Sequence, residues 1–187
     1  TQSRSSAASD VYKRQDTFFL RATVDNGNTA SYESSDIDIS AYTDPARGRV
    51  LVVDRGWVTF DTDGNGPIIQ ADVTSGTALG QKEMGIQVCS ETQTALVSMT
   101  NNSLFMKTNL YVGIGLQNQI TFFNEVSSLN PASTTGGFII PTDKIHCGCA
   151  TGDAWEEDIR MGFMFEVHTE KLSLSRIQEL LVSLTAN

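Results

Sequence analysis

The chain has 187 residues, with 22 acidic against 13 basic side chains and a formal charge of −9. That balance leaves no basic stripe to displace counterions from a phosphate backbone, so this acidic segment is not expected to contact nucleic acid. No apolar run approaches the roughly 18 residues that a membrane-spanning helix requires, and three cysteines are too few for a disulfide framework.

In chain order, Ser5 to Gln15 comes first and is set apart. It back-translates without interruption into something that resembles the transposon adapter of sequencing libraries. Residues 1–15 are therefore treated as a non-native segment, and a true N-terminus is expected to be missing. Without Arg4, Asp10, Lys13 and Arg14 the charge falls to about −11. Residues 16–187 remain as one domain, long enough for a full core.

From there the texture is all-β. Short alternating runs rich in Thr, Val, Ile and Phe are cut by turn residues every eight to twelve positions or so. The spacing predicts a strand over 17–25, closed by Asp25 to Asn28, and an alternating run over Ile37–Tyr42. Arg49 to Asp61 reads as a long strand whose buried parity changes, with Gly56 as the expected bulge. Residues 83–90 and 94–100 read as a hairpin. Leu104 to Gly113 fits either a short helix or a strand, and Asn124 to Gly137 reads as the longest loop.

Ile159 to Glu170 is the clearest strand, with Ile159, Met161, Phe163, Phe165 and Val167 on one face. Its other face is wet, apart from Met164. Leu174, Ile177, Leu180, Leu181 and Leu184 then recur at helical spacing, and Ser175 with Gln178 forms a capping-box pattern, so a helix is expected near 175–184. Val52, Val58, Ile86, Leu96, Phe163, Phe165 and Val167 are the predicted core. About eight strands in one domain mean two packed sheets or a barrel, and their long connections favour a jelly-roll or Greek-key β-sandwich with a short C-terminal helix.

Asp61 to Asp72 carries the sharpest motif. Asp61, Asp63, Asn65 and Asp72 stand at the first, third, fifth and twelfth places, with Gly66 at the sixth, which resembles an EF-hand calcium loop. The twelfth place is Asp rather than Glu and the flanks read as strands, so a plain acidic turn is the competing reading. His146, Cys147 and Cys149 have soft-ligand spacing for zinc. They lack a fourth clustered ligand, and buried cysteines acting as small hydrophobes explain the pattern better.

His168 lies between Glu166 and Glu170, where cross-strand pairing accounts for it. Trp155 beside Glu156, Glu157 and Asp158 reads as a solvated loop, or else as a sugar-binding rim. No nucleophile elbow, phosphate loop or dinucleotide fingerprint is present, and no enzyme is expected.

The arrangement from Asp16 to Asn187 resembles jelly-roll capsid proteins of tailless dsDNA viruses of environmental or archaeal type, recovered from environmental samples. The resemblance rests on Asp38-Ile39-Ser40-Ala41-Tyr42-Thr43-Asp44-Pro45 leading into the strand from Arg49, then Gly136 to Ile145, the strand Ile159–Val167, and the terminal Leu-rich helix. It implies a non-enzymatic virion shell protein that self-assembles around a viral genome as a homo-oligomer, with or without other capsid proteins. The alternative is a secreted, calcium-dependent β-sandwich binding module of lectin or adhesin type, extracellular and using the Asp61 loop. The terminal helix and the 124–137 loop are the candidate contacts between subunits.

Overall fold

The computed structural model describes residues 17–26, 28–74, 80–114, 120–126 and 136–185. The adapter-like segment lies outside them, as does most of the expected 124–137 loop. Nine strands are described: β1 (Phe18–Asp25), β2 (Glu33–Asp38), β3 (Arg49–Thr62), β4 (Gly80–Cys89), β5 (Leu104–Ile114), β6 (Ile120–Val126), β7 (Phe138–Ile140), β8 (Lys144–Thr151) and β9 (Ile159–Lys171). Two helices, α1 (Gln70–Val73) and α2 (Leu174–Thr185), accompany them, with one 3-10 turn at Pro45–Arg47.

The strands form two antiparallel sheets. Sheet A has the order β1-β9-β3-β7 and sheet B the order β2-β8-β4-β5-β6. The pairs β1·β9, β2·β8, β3·β7 and β4·β5 are those of one long hairpin folded back on itself, and rolling it up sends alternate pairs to opposite sheets. With β6 added at an edge, this is the jelly-roll sandwich expected from the sequence.

The alternation that announced β9 also sets its register. Val167, Phe165, Phe163 and Met161 stand opposite Phe18, Leu20, Ala22 and Val24 of β1, so apolar rungs repeat along the inner face. From the facing sheet, Met84, Ile86, Val88, Leu110, Ile145, Cys147 and Cys149 complete one core. Burying Phe163 and Phe165 stabilises the sandwich by roughly 1.5–3 kcal/mol each. Phe105 extends the core, stacking on Phe138 at 4.6 Å and meeting Phe165 edge-on at 6.3 Å.

The parity change in β3 occurs as expected, but two residues earlier. Val53 pairs with Val167 and Arg55 with Glu166, which leaves Asp54 as the bulged residue in place of Gly56. Before the bulge Leu51 and Val53 face the core; after it Val58 and Phe60 do. A polar side chain at the bulge suits the arrangement, because Asp54 turns outward to His168.

Other expectations are corrected. Residues 94–100 form no strand, and β4 pairs instead with β5, whose strand character is thereby settled. The 94–100 segment is held by a side chain: Gln87 Nε2 donates to Ala95 O and Gln87 Oε1 accepts from Val97 N. Leu96 is accordingly outside the core and 36% exposed. The run 37–42 contributes only its first two residues to β2, and Ile39 to Thr43 turn away through Tyr42 N and Thr43 N bonds to Ile39 O. Helix α2 is capped by Ser173 rather than Ser175, since Ser173 Oγ accepts from Arg176 N. Trp155 belongs to the core at 2% exposure, neither a solvated loop nor a rim.

Candidate functional site

The Asp61–Asp72 loop starts where β3 ends. Thr62 N donates to Gly66 O at 2.9 Å, and Asn65 takes the left-handed conformation (φ 57°) that closes the turn. Its oxygen side chains have partners within the chain. Asp63 Oδ1 accepts from Arg160 Nη2 at 2.6 Å, and Asn65 Oδ1 from Arg160 Nη1 at 3.4 Å. Asp72 Oδ2 accepts from Ile69 N at 2.7 Å, at the start of α1. Asp61 stands on the rung paired with Arg160, and Asp25 accepts from Arg160 Nε at 2.8 Å. The guanidinium, a permanent cation, thus bonds two of the loop's polar side chains, Asp63 and Asn65, together with Asp25 from β1. Among the described residues no group of three or more His, Cys, Asp or Glu is placed to hold a metal ion.

The His146–Cys149 run divides between two faces, as strand alternation requires. Cys147 and Cys149 are core residues, and burial pushes the Cys149 thiol up to about 12 and that of Cys147 higher still. Burial also raises Cys89, to about 11. Thiols this hard to ionise are poor nucleophiles and poor metal ligands. His146 faces the other way, onto the outside of sheet B.

There it joins a constellation that the sequence did not reveal. His146 Nδ1 lies 2.5 Å from Asp36 Oδ1, His146 Nε2 lies 3.0 Å from Tyr32 Oη, and Gln87 Nε2 donates to the same Tyr32 oxygen at 2.9 Å. With the Nδ1 proton given to Asp36, Nε2 accepts the phenol proton and every partner is satisfied. Gly148 makes the geometry possible, because a Cβ there would fall on the Tyr32 hydroxyl. Burial raises the Tyr32 phenol to about 12, which keeps it a donor. Partial desolvation acts to raise Asp36, but hydrogen bonds from His146 and Lys144, with the Lys144 charge, outweigh it and hold that carboxyl below its ordinary value.

An aspartate, a histidine and a hydroxyl in line look like a catalytic relay. Here the hydroxyl oxygen is engaged on both sides, His146 is 1% exposed and Gln87 is fully buried. The network fastens the 29–33 and 90–98 segments onto the sheet, and its imidazole is closed to solvent while the Asp36 side chain stays 38% exposed. His168 has a similar partner on the other sheet, its Nδ1 donating to Asp54 Oδ2 at 2.7 Å.

The outside of sheet A differs in kind. Phe19 is 47% and Trp57 40% exposed, with their rings 6.4 Å apart, and Trp57 is paired with Met164. Arg21 lies over the Phe19 ring at 5.8 Å. Helix α2 adds a second apolar surface. Ile177 is buried, whereas Leu174, Leu181 and Val182 are exposed.

No family model and no curated protein matches this chain. Among solved structures it is similar to a mutant of the unassembled Washington University polyomavirus VP1 pentamer (9% identity, TM-score 0.45, covering 86% of this chain and 94% of that one). It is also similar to VP1 of the trichodysplasia spinulosa-associated polyomavirus in complex with GM1 oligosaccharide (8%, TM-score 0.45, 86% and 97%). A third similarity is to the unassembled Merkel cell polyomavirus VP1 pentamer (9%, TM-score 0.42, 84% and 96%). At such values a similarity assigns no function, and the jelly roll stands on this chain's own strand order.

Proposed function

We propose that this chain is a structural shell subunit, a capsid protein that associates with further copies of itself, with or without other capsid proteins, around a viral genome in a virion. The observation that supports it best is apolar surface left outside a core that is already closed. Phe19 and Trp57 on sheet A and Leu174, Leu181 and Val182 on α2 are exposed, although the sandwich has buried residues enough without them. Two such surfaces at different places on one subunit suit head-to-tail contacts, which close into rings when the rotation allows.

Jelly rolls serve capsid proteins, lectins and cupin enzymes alike, so fold alone decides little. A cupin works inside its barrel, whereas this interior is filled by Phe163, Phe165, Met161, Met84 and Ile86. The calcium-dependent binding module loses support because Arg160 already neutralises Asp63. Nothing catalytic is assigned to the chain.

Sedimentation and negative-stain microscopy of purified protein test the reading. Closed particles or rings are expected, and Leu181→Asp together with Trp57→Glu should leave a folded monomer. Ile177, being buried, is unsuited to this test. A wild-type chain that stays monomeric at high concentration overturns the proposal.

A further inference from the structure

On β1, β9 and β3 the residues between the core positions face outward and form four successive rungs on the open side of sheet A. The two inner rungs differ in bulk. Arg21, Met164 and Trp57 stand on one, and Thr23, Gly162 and Thr59 on the next. Gly162 keeps the second rung low, since a Cβ there would lie 2.6 Å from Thr59 Oγ1. The first is a ridge and the second a trough.

The two outer rungs differ in charge. Beyond the ridge, Glu166 stands between Phe19 and Arg55, and the Arg55 side chain is 55% exposed. Beyond the trough, Arg160 stands between Asp25 and Asp61 and also bonds Asp63. The ridge end thus holds two arginines against one glutamate, and the trough end three aspartates against one arginine. Asp54, further out, is bonded to His168. A polyanion drawn to Arg21 would meet the aspartates about 14 Å further along the strands. A small ligand on the aromatic pair would leave the order of the rungs without a role.

We propose that this face packs on the same face of a second copy of the chain, about a two-fold axis that runs across the strands between ridge and trough. The contact rests on the self-association proposed above; it is isologous, and head-to-tail closure is left to α2. Turning the face over reverses the order of the rungs and leaves each strand above its own counterpart. Ridge then meets trough, with Met164 over the partner's Gly162 and Trp57 over the partner's Thr59. The outer rungs match by charge, Arg55 meeting the partner's Asp61 and Glu166 the partner's Arg160. Sheets stacked face to face lie about 10 Å apart. By strand spacing and rise the face measures about 14 by 24 Å, which places the contact in the small, weak class. Each pair occurs twice, so a single charge change acts twice.

Sedimentation of the full chain carrying Leu181→Asp, which spoils the α2 surface, tests the contact. Dimers are expected and nothing larger. Arg55→Glu should weaken them about tenfold or more, and adding Asp61→Arg to the same chain should restore them. Thr23→Arg, which fills the trough opposite the partner's Arg21, should weaken them independently. Melting temperatures check that each variant is folded. If wild type assembles while the Leu181→Asp chain is monomeric or still forms rings, or if the charge exchange restores nothing, the two-fold contact is overturned and the assembly reading stands. A wild-type chain that stays monomeric at high concentration overturns both.

Discussion

The two outer faces of the sandwich invert the usual assignment of polar and apolar residues. On sheet B the polar groups are buried: His146 and Gln87 are almost inaccessible, and Tyr32 lies over Gly148. On sheet A the aromatic groups are exposed, with Phe19 and Trp57 at 47% and 40%. Sheet B is covered by its own chain through segments 29–33 and 90–98, whereas much of sheet A is covered by nothing described. A face closed by a saturated polar network contributes rigidity. An open aromatic face with flanking arginines is what the proposed assembly would use.

The largest expected effect comes from unfastening the closed face. Gly148→Val would drive the Tyr32 hydroxyl from its seat and break the network at its centre. A loss of about 3 kcal/mol or more is expected in urea unfolding, from overpacking together with stranded buried polar groups. A variant as stable as wild type would show that the network holds nothing.

Asp36→Asn is a gentler break in the same place. The Asp36 carboxyl is depressed in the folded state, so its ionised form contributes stability that is fully present above the unfolded value of about 3.9 and lost as pH falls through the folded value. The difference in melting temperature between wild type and Asp36→Asn should be widest near pH 6, by this reasoning, and shrink below about pH 4. A difference that grows on acidification would contradict the sign.

On the open face the expectation reverses. Trp57→Glu should change monomer stability by only about 0.5 kcal/mol or less, the ordinary range for exposed positions, while reducing association in sedimentation. If stability falls instead, the patch is part of the fold rather than of an interface. Smallest of all is the effect expected at the Asp61 loop, where millimolar calcium or chelator should leave the melting temperature unmoved because Arg160 already supplies the cation. A clear upward shift with calcium would support the metal reading.

The closed and open faces were not equally legible in the sequence. Strands β1, β3, β4 and β9 and the terminal helix were readable because a period of two or of 3.6 is a local signal. The 94–100 segment looked like a strand by the same signal, but Gln87 satisfies its backbone from beneath, and no pattern within seven residues announces that. The Tyr32–His146 contact joins positions 114 residues apart, so only the fold brings them together. Gly148 stands between two cysteines in the sequence, and its reason is the phenol of Tyr32, the residue before β2. The aromatic face was half-visible: Met164 stood out as an apolar residue on a wet face, but its partner Trp57 emerged only once the bulge at Asp54 set the parity.

The doubling-back of the chain has a consequence in time. Among the described strands β4·β5 and the added β5·β6 pair as neighbours along the chain; each further pair of the roll encloses the last, until Phe18 meets Val167. Loop-closure entropy therefore favours zipping outward from the centre, and so high a contact order implies slow folding. During synthesis β1 must wait for β9, the last of the nine described strands, before its side of sheet A can form. Through that interval Phe18, Leu20 and Val50 have no ladder to join, and the nascent chain depends on dilution or on a chaperone. Pulse-labelled hydrogen exchange should accordingly find β4 and β5 protected first, and β1 with β9 last.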